Sequence, residues 1–322
     1  MKRMPKAVSL ALLGLVAAAV ACGADRLTVA TLNCEFLTRP RVHIKFGERF
    51  ELPESKRALW DQPGYRDRKF AEAAEHVARL IKQIDADIIG LQEVGDERDV
   101  RELREAVREA GLDYPYCVVG RGVEPPTYQN VAIFSRYKLS DPIAPIPGRE
   151  AYDTELDDID SEQWARVNKG LRVTADVDGR SIYVYVLHLK SERGGHESDA
   201  RRIAQASIVR RHYLPLLEAG RDVIVLGDLN DSRNQPAIRR IRGRDDIGPD
   251  LVQTGLAKYF DRDKLDTRWT YEYMGVRNQI DHVLLSTSFI DKCNRIHART
   301  LQHNDPQASD HLPFIVELEF RD

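Results

Sequence analysis

The stretch Val223–Asp231, VIVLGDLND, decides how the rest of the chain is read. Val223, Ile224, Val225 and Leu226 form an apolar, largely β-branched run leading straight into Gly227, Asp228, Leu229 and Asn230. Such a run reads as a buried strand that delivers polar groups at its C-terminal end. Gly227 has no side chain, so a ligand or a second backbone can approach closely there. If strand geometry continues, Asp228 and Asn230 point the same way, because side chains alternate. An acid and an amide together at a strand mouth suit the holding of a phosphate or a metal-bound water. The same residues also fit a strand that ends in an Asx turn, since Asp and Asn favour turns. On this stretch alone both readings are open.

Other apolar runs carry polar groups at one end. Leu27–Cys34 (LTVATLNC) alternates like a half-buried strand and ends at Asn33, and Asp87–Val94 (DIIGLQEV) ends at Glu93. Ser181–Leu189 (SIYVYVLHL) ends at His188, and Ile280–Ser286 (IDHVLLS) opens with Asp281 and His282. A last strand, Phe314–Phe320, follows Ser309-Asp310-His311-Leu312-Pro313. Strands are also expected at Tyr116–Val119 and Val131–Ser135. Leu171–Val177 and Ser181–Leu189 should form a hairpin across Asp178-Gly179.

The spacing predicts helices over 66–84, 96–110 and 199–219. The first has a single apolar stripe of Phe70, Ala73, Ala74, Val77, Leu80, Ile81 and Ile84. In the third, Arg201, Arg202, Arg210 and Arg211 read as a solvated face, and Arg239, Arg240, Arg242 and Arg244 as a surface cluster. Residues 38–66 and 141–169 read as long polar surface loops. The acids of the second, from Glu150 to Glu162, have no EF-hand spacing.

The 322 residues are 42% hydrophobic and 31% charged, enough for a substantial core, and no Gly/Ser- or Pro-rich tract divides them. The first stretch stands apart. Lys2, Arg3 and Lys6 precede a run from Ala7 to Ala21 that is apolar except for Ser9. Residues 1–21 thus have a secretory signal pattern, too short for a stable membrane span. Cys22 behind a small residue fits a bacterial lipoprotein acylation site, with plain secretion as the alternative. The expectation is an exported protein, an envelope lipoprotein or a periplasmic or extracellular one, with one folded domain over 27–322. Its only membrane contact would be a lipid on Cys22, and a monomer is favoured. Loss of the signal removes three positive charges and takes the formal net charge from −3 to −6. That mild acidity does not suit a protein that coats a long polyanion. Cys34, Cys117 and Cys293 show no metal-cluster spacing.

Collected, the strand ends present Asn33, Glu93, His188, Asp228, Asn230, Asp281, Asp310 and His311. In order, TLNCEFL, LQEV, VLHLKS, GDLND, IDHVLLS and SDHLP resemble the endonuclease/exonuclease/phosphatase superfamily of deoxyribonuclease-I-like enzymes. The likeness runs from Leu27 to Phe320. It implies a four-layer α/β sandwich, two packed mixed sheets flanked by helices. It also implies hydrolysis of phosphodiesters with Mg²⁺, Mn²⁺ or Ca²⁺ being substitutes. Such chemistry needs a hard cation to offset the negative charge that repels the attacking hydroxide.

By this resemblance Glu93 is the principal metal ligand, supported by Asn33 and Asp310. His311, oriented by Asp281, acts as base or phosphate contact. Asp228 and Asn230 orient the water and a phosphoryl oxygen, and the residue that takes the proton, Asp228 or His311, stays open. His188 binds the scissile phosphate or protonates the leaving oxygen. Asn130 and Lys190 are candidate substrate contacts. One departure stands out. Where deoxyribonuclease-like members place a glutamate behind the histidine, this chain reads Tyr128-Gln129-Asn130. An amide cannot raise the pKa of His188, so phosphate binding suits that residue better than acid catalysis. The favoured substrate is a nucleic acid. A lipid or small-molecule phosphoester is the alternative, although no long apolar hairpin for membrane insertion is evident. An inactive binding module would not need competent residues at every matched position.

Overall fold

The computed structural model describes residues 25–122, 126–153 and 163–321. Along the chain come β1 (Arg26–Leu37), α1 (Glu54–Trp60), α2 (Tyr65–Ile84), β2 (Ile88–Val94), α3 (Glu97–Glu109), β3 (Tyr116–Gly120) and β4 (Asn130–Ser135). Next are β5 (Lys138–Ile143), β6 (Ile146–Tyr152), β7 (Gln163–Val167), β8 (Gly170–Val177), β9 (Arg180–His188), α4 (Gly195–Glu218) and β10 (Asp222–Asp228). The remainder is α5 (Pro236–Arg242), β11 (Leu251–Gln253), β12 (Tyr271–Tyr273), β13 (Val276–Asn278), β14 (Asp281–Ser286), α6 (Thr287–Ile290), β15 (Cys293–Thr300) and β16 (Phe314–Phe320).

Two six-stranded mixed sheets follow, β15-β16-β1-β2-β4-β3 and β11-β14-β10-β9-β8-β5. Their central strands are apolar on both faces, and alternation sends each face into a different core. Val29, Ile88, Val131 and Ile133 of the first sheet meet Val184, Val186, Ile224 and Leu226 of the second. Ala30, Leu32, Ile89 and Leu91 face outward onto the stripe of α2 and onto Val100, Leu103 and Val107 of α3. On the far side, Tyr185, Leu187, Val223 and Val225 pack on Ala206, Val209 and Tyr213 of α4. Helix, sheet, sheet, helix is therefore the layer order, a four-layer α/β sandwich. The parallel pairs β1–β2 and β9–β10 point their C-terminal ends to the same mouth.

Two glycines permit close approaches. A Cβ on Gly90 would come within 2.2 Å of Leu226 in the opposite sheet, so the bare backbone makes room for that side chain. Gly227 has φ 140°, and a Cβ there would fall 1.9 Å from the Leu187 carbonyl oxygen of β9.

Several expectations need correction. Residues 38–66 are not a structureless loop. A 3₁₀ turn (Val42–Phe46) and α1 cross this segment, and Val42, Leu52 and Trp60 are buried against the outer core. The 141–169 region is not a plain surface excursion, because β6 and β7 pair and Ile146 and Val167 pack beneath α4. Glu155 to Glu162 lie outside the described residues, as do residues 1–24 with the signal and Cys22. The α4 arginines are not all solvated. Arg210 is buried and clamps both oxygens of Asp246 at 2.7 and 2.9 Å, and Arg202 is buried beside Asp199 and Asp231. Both acids that fix these arginines outside α4 belong to distant segments, which helical spacing does not reveal. Arg239 and Arg244 pair with Asp245 and Asp250 around α5, a bracing role at the surface.

Gly227→Ala should combine a backbone clash with a conformation that L residues rarely adopt, at a cost of about 3 kcal/mol or more. Denaturant unfolding of the purified variant checks this, and a midpoint equal to that of the parent would contradict it.

Candidate active site

The mouth is built on the ends of five strands, β1, β2, β9, β10 and β14. On β1, the Asn33 carboxamide nitrogen donates to Glu93 Oε1 at 3.3 Å and to Asp228 Oδ2 at 3.0 Å. Its oxygen accepts from the Glu35 backbone N–H at 2.9 Å. The Phe36 N–H donates to the other Glu93 oxygen at 2.8 Å. Glu35, Phe36, Glu93 and Asn230 all have φ between 44° and 59°, left-handed conformations unusual for residues with a Cβ. Such outliers concentrate where a fold aims side chains for function. At β10, the Asx-turn reading of Val223–Asp231 holds in the structure. The Asn230 N–H donates to Asp228 Oδ1 at 2.9 Å, an Asx turn, and this turn holds Asp228 in the mouth. The strand ends at Asp228, so simple alternation does not position Asn230, whose amide instead donates to the Leu189 carbonyl at 3.1 Å.

His188 places Nε2 3.7 Å from Glu93 Oε1 and 3.8 Å from Asp228 Oδ2. Its Nδ1 is buried without a hydrogen-bond partner. Burial, and then the positive charges of Lys169, His311 and Lys190, hold its pKa well below the ordinary histidine value. The residue is a neutral imidazole. Gln129 accepts from Lys169 at 3.2 Å, so no carboxylate stands behind the ring in that position.

His311 is tied differently. Its Nδ1 lies 2.8 Å from Asp281 Oδ2, and its ring packs on Tyr271 with centroids 4.6 Å apart. Ser309 Oγ donates to the Asn33 carbonyl at 2.6 Å and accepts from the His311 N–H at 2.8 Å, which fastens this loop to β1. Burial opposes charge on His311, but Asp281, Asp310 and Asp228 raise its pKa well above the ordinary value. Asp228 is itself raised by burial and then by Asp281. Asp310 is half exposed, with Oδ1 3.9 Å from His311 Nε2.

Among the described residues one group has the spacing to hold a cation. Asp228, Asp281 and His311 have ligand atoms within 4.8 Å of one another. In that group, however, the facing atoms of Asp281 and His311 are bonded to each other. Beside it, Glu35, Glu93 and Asp310 feel one another's charge. Burial, then Asp310, raises the pKa of Glu35, and its Oε2 is buried without a hydrogen bond. A clustered set of carboxylates with an unsatisfied oxygen fits a hard divalent ion.

Glu35, Lys45 and Tyr271 were not singled out from the sequence. Glu35 stands two residues beyond Asn33, which on a strand is the same face, and that spacing could have found it. Lys45 has a fully buried side chain, donates to the carbonyls of Cys34 at 2.8 Å and Ala308 at 3.1 Å, and stands 3.7 Å from Glu35. It is an internal counter-charge that also ties β1 to the loop bearing Asp310. Asn130 is near the mouth, but both ends of its amide are engaged, by the Gly122 N–H at 2.8 Å and the Gly95 carbonyl at 3.0 Å. It braces two backbone segments instead of facing a substrate. Lys190 follows β9, and its backbone is held by Gln205 and Arg202 while its charge acts on His188.

Carboxylates, amides and two histidines whose pKa values are shifted in opposite directions meet at the mouth of a four-layer sandwich, a set suited to phosphoester hydrolysis. The family model described as Endonuclease/Exonuclease/phosphatase family matches residues 30–311, and the chain belongs to that family. It is a phosphoesterase of that family. Truncated TDP2 from Caenorhabditis elegans is similar at 14% identity, with 92% of this chain and 98% of that one covered and a TM-score of 0.57. A family protein from Bacteroides thetaiotaomicron is 19% identical over 92% and 98% of the two chains, TM-score 0.52. Beta toxin 275-280 from Staphylococcus aureus is 15% identical over 90% and 99%, TM-score 0.52. At these identities the likeness is one of fold. No curated protein matches the chain.

Asp281→Asn should leave the His311 ring in place but remove the carboxylate that keeps it charged. Phosphoester turnover should fall roughly 100-fold or more. Steady-state rates alongside a thermal melt check this, and an unchanged rate removes the pair from the mechanism.

Proposed function

We propose that this chain is an exported, divalent-cation-dependent phosphodiesterase of nuclease type. The observation that carries the reading is the single hydrogen-bonded node of Asn33, Glu93 and Asp228, with His188 within 4 Å of both acids. Glu93, Glu35, Asp310 and Asn33 would hold the cation, with Mg²⁺ the first expectation. When bound, it supplies positive charge to the phosphate and makes a nearby water more acidic.

The chain's own residues do the rest. Asp228, oriented by Asn33 and Asn230, sits where an attacking water loses its proton. His311, kept cationic by Asp281, contacts a phosphoryl oxygen as the charge on it grows. Neutral His188 donates a hydrogen bond to the phosphate through Nε2. Its low pKa makes it a poor store for a proton, so the leaving oxygen takes its proton from elsewhere in the site or from water.

A second reading, a lipid or other amphipathic phosphoester, is favoured by the β12–β13 hairpin. Tyr273, Met274 and Val276 at its tip are 55%, 85% and 60% exposed, and its first residue, Tyr271, packs on His311. A short apolar finger beside the catalytic histidine can touch a nucleobase or an acyl chain. Hydrolysis of plasmid, single-stranded DNA, RNA, sphingomyelin, inositol phosphates and bis-p-nitrophenyl phosphate, with Mg²⁺ or EDTA, separates the readings. Nucleic acid should be cleaved with Mg²⁺ only, and Glu93→Gln should abolish that cleavage while the protein stays folded. Full activity of Glu93→Gln refutes its role as ligand.

For location, the signal-like residues 1–21 and Cys22 support an acylated envelope protein. Cys22→Ala should then move the protein from the membrane fraction to the soluble fraction. Unaltered fractionation argues against the anchor.

A further inference from the structure

The far end of the sandwich has a second feature. A cleft of about 590 Å³ opens where β9 and β10 begin, lined by Arg180, Arg221, Asp222, Asp291, Lys292 and Arg321. Four cations face two carboxylates there, and one carboxylate is already taken. Lys292 holds both oxygens of Asp222 at 2.8 Å. The guanidinium of Arg180 lies over the Phe320 ring at 4.1 Å, which fixes its plane, and its Nη1 is buried without a hydrogen-bond partner. Arg321 uses only Nε, donating to the Cys293 carbonyl at 3.3 Å. Arg221 is exposed and has no side-chain partner among the described residues.

With Asp222 held by Lys292, three guanidinium groups share the cleft with one remaining carboxylate, Asp291, and positive charge is in excess. Their planar N–H edges match phosphate oxygens two at a time. A buried N–H with no acceptor also costs free energy until something accepts from it. We propose that this cleft is an anion site that binds a phosphate group, separate from the catalytic mouth. Arg180 and His188 are the two ends of β9, eight residues apart, or about 26 Å. The same bound group therefore cannot reach both sites.

The position of the cleft favours a phosphate carried by a lipid headgroup. The Phe320 N–H beside Arg321 donates to the carbonyl of Asp25 at 2.9 Å, so the chain enters the fold at this end. Cys22 precedes Asp25 by three residues, at most about 11 Å of chain. This choice of source rests on the acylation reading of Cys22, whereas the site itself does not. An acylated Cys22 would turn the basic end to an anionic membrane and the catalytic mouth away from it.

The test uses the full-length chain carrying Cys22→Ala, alone and with Arg180→Gln or Arg221→Gln. Co-sedimentation is measured with phosphatidylcholine vesicles containing phosphatidylglycerol, and calorimetric titration with inorganic phosphate in EDTA. Either arginine change should weaken vesicle binding about tenfold, and free phosphate should compete. Lower phosphate affinity in the variants without any vesicle binding assigns the site to a soluble phosphate. Equal vesicle binding and equal phosphate affinity in all three proteins overturn the proposal. The exposed Arg221 side chain has no partner among the described residues, so Arg221→Gln tests the site even where Arg180→Gln does not fold. Hydrolysis of bis-p-nitrophenyl phosphate should be the same in all three, which separates failure of this site from failure of the phosphodiesterase reading.

Discussion

One carboxamide joins the two sheets at their catalytic end. Asn33 sits on β1, and its nitrogen reaches Glu93 on the neighbouring strand of its own sheet and Asp228 on the opposite sheet, 195 residues away. A buried hydrogen bond to a charged acceptor contributes about 1.5–3 kcal/mol, and the loss of its donor exposes the acceptor to the full cost of burial. The contact therefore works as a gauge. It can form only if the sheets pack at the spacing that Gly90 and Leu226 permit, and only if Gly227 lets β10 lie against β9. The catalytic geometry is in this sense a readout of sheet packing, and side chains far from the mouth help to set it.

That arrangement creates an electrostatic difficulty which the same residues partly resolve. Glu35, Glu93 and Asp228 are drawn together with much of their surface removed from water, and burial raises the pKa of each. Left alone they would protonate. Lys45, wholly buried, places a fixed positive charge beside Glu35, and Lys169 does the same for Glu93. His311 keeps its proton through Asp281. These charges offset only part of the acidity, and the remainder is what a divalent ion would answer. His188, by contrast, is surrounded by the cations and stays neutral. Two histidines at one mouth thus acquire opposite character from their neighbours alone.

Much of this was legible in the sequence because polar residues stand out at the ends of apolar strands. Asn33, Glu93, His188, Asp228, Asp281 and His311 were each visible in that way, and the unbroken apolar run Val223–Leu226 predicted a buried strand. The resemblance supplied the layer order, which spacing did not. What escaped notice depended on contacts between distant segments. Lys45 lies in the 38–66 region, where polarity suggested solvent, yet α1 and Trp60 close over that region and make it part of the outer core. Arg202 and Arg210 looked like a solvated helix face because their acids, Asp231 and Asp246, belong to other elements. Asn130 looked free because its partners are backbone groups of other loops. Periodicity reports which face a residue shares, and is silent on who meets it there.

The two ends of the sandwich also differ in charge, and strand direction is the reason. β9 and β10 run parallel, so their starting residues gather at one end and their closing residues at the other. β9 starts at Arg180 and β10 at Asp222, just after Arg221, and the two strands close at His188 and Asp228. Under the proposed function, an anionic substrate would meet an acidic mouth that repels it until a cation is bound, while the proposed site at the opposite end would attract anions with no cofactor. Affinity at the mouth would then be tied to the metal, so that substrate binding and readiness for hydrolysis arise together. Selectivity then falls to what surrounds the mouth, and the apolar tip of the β12–β13 hairpin is the part of that rim whose contact with His311 makes it felt at the reacting group.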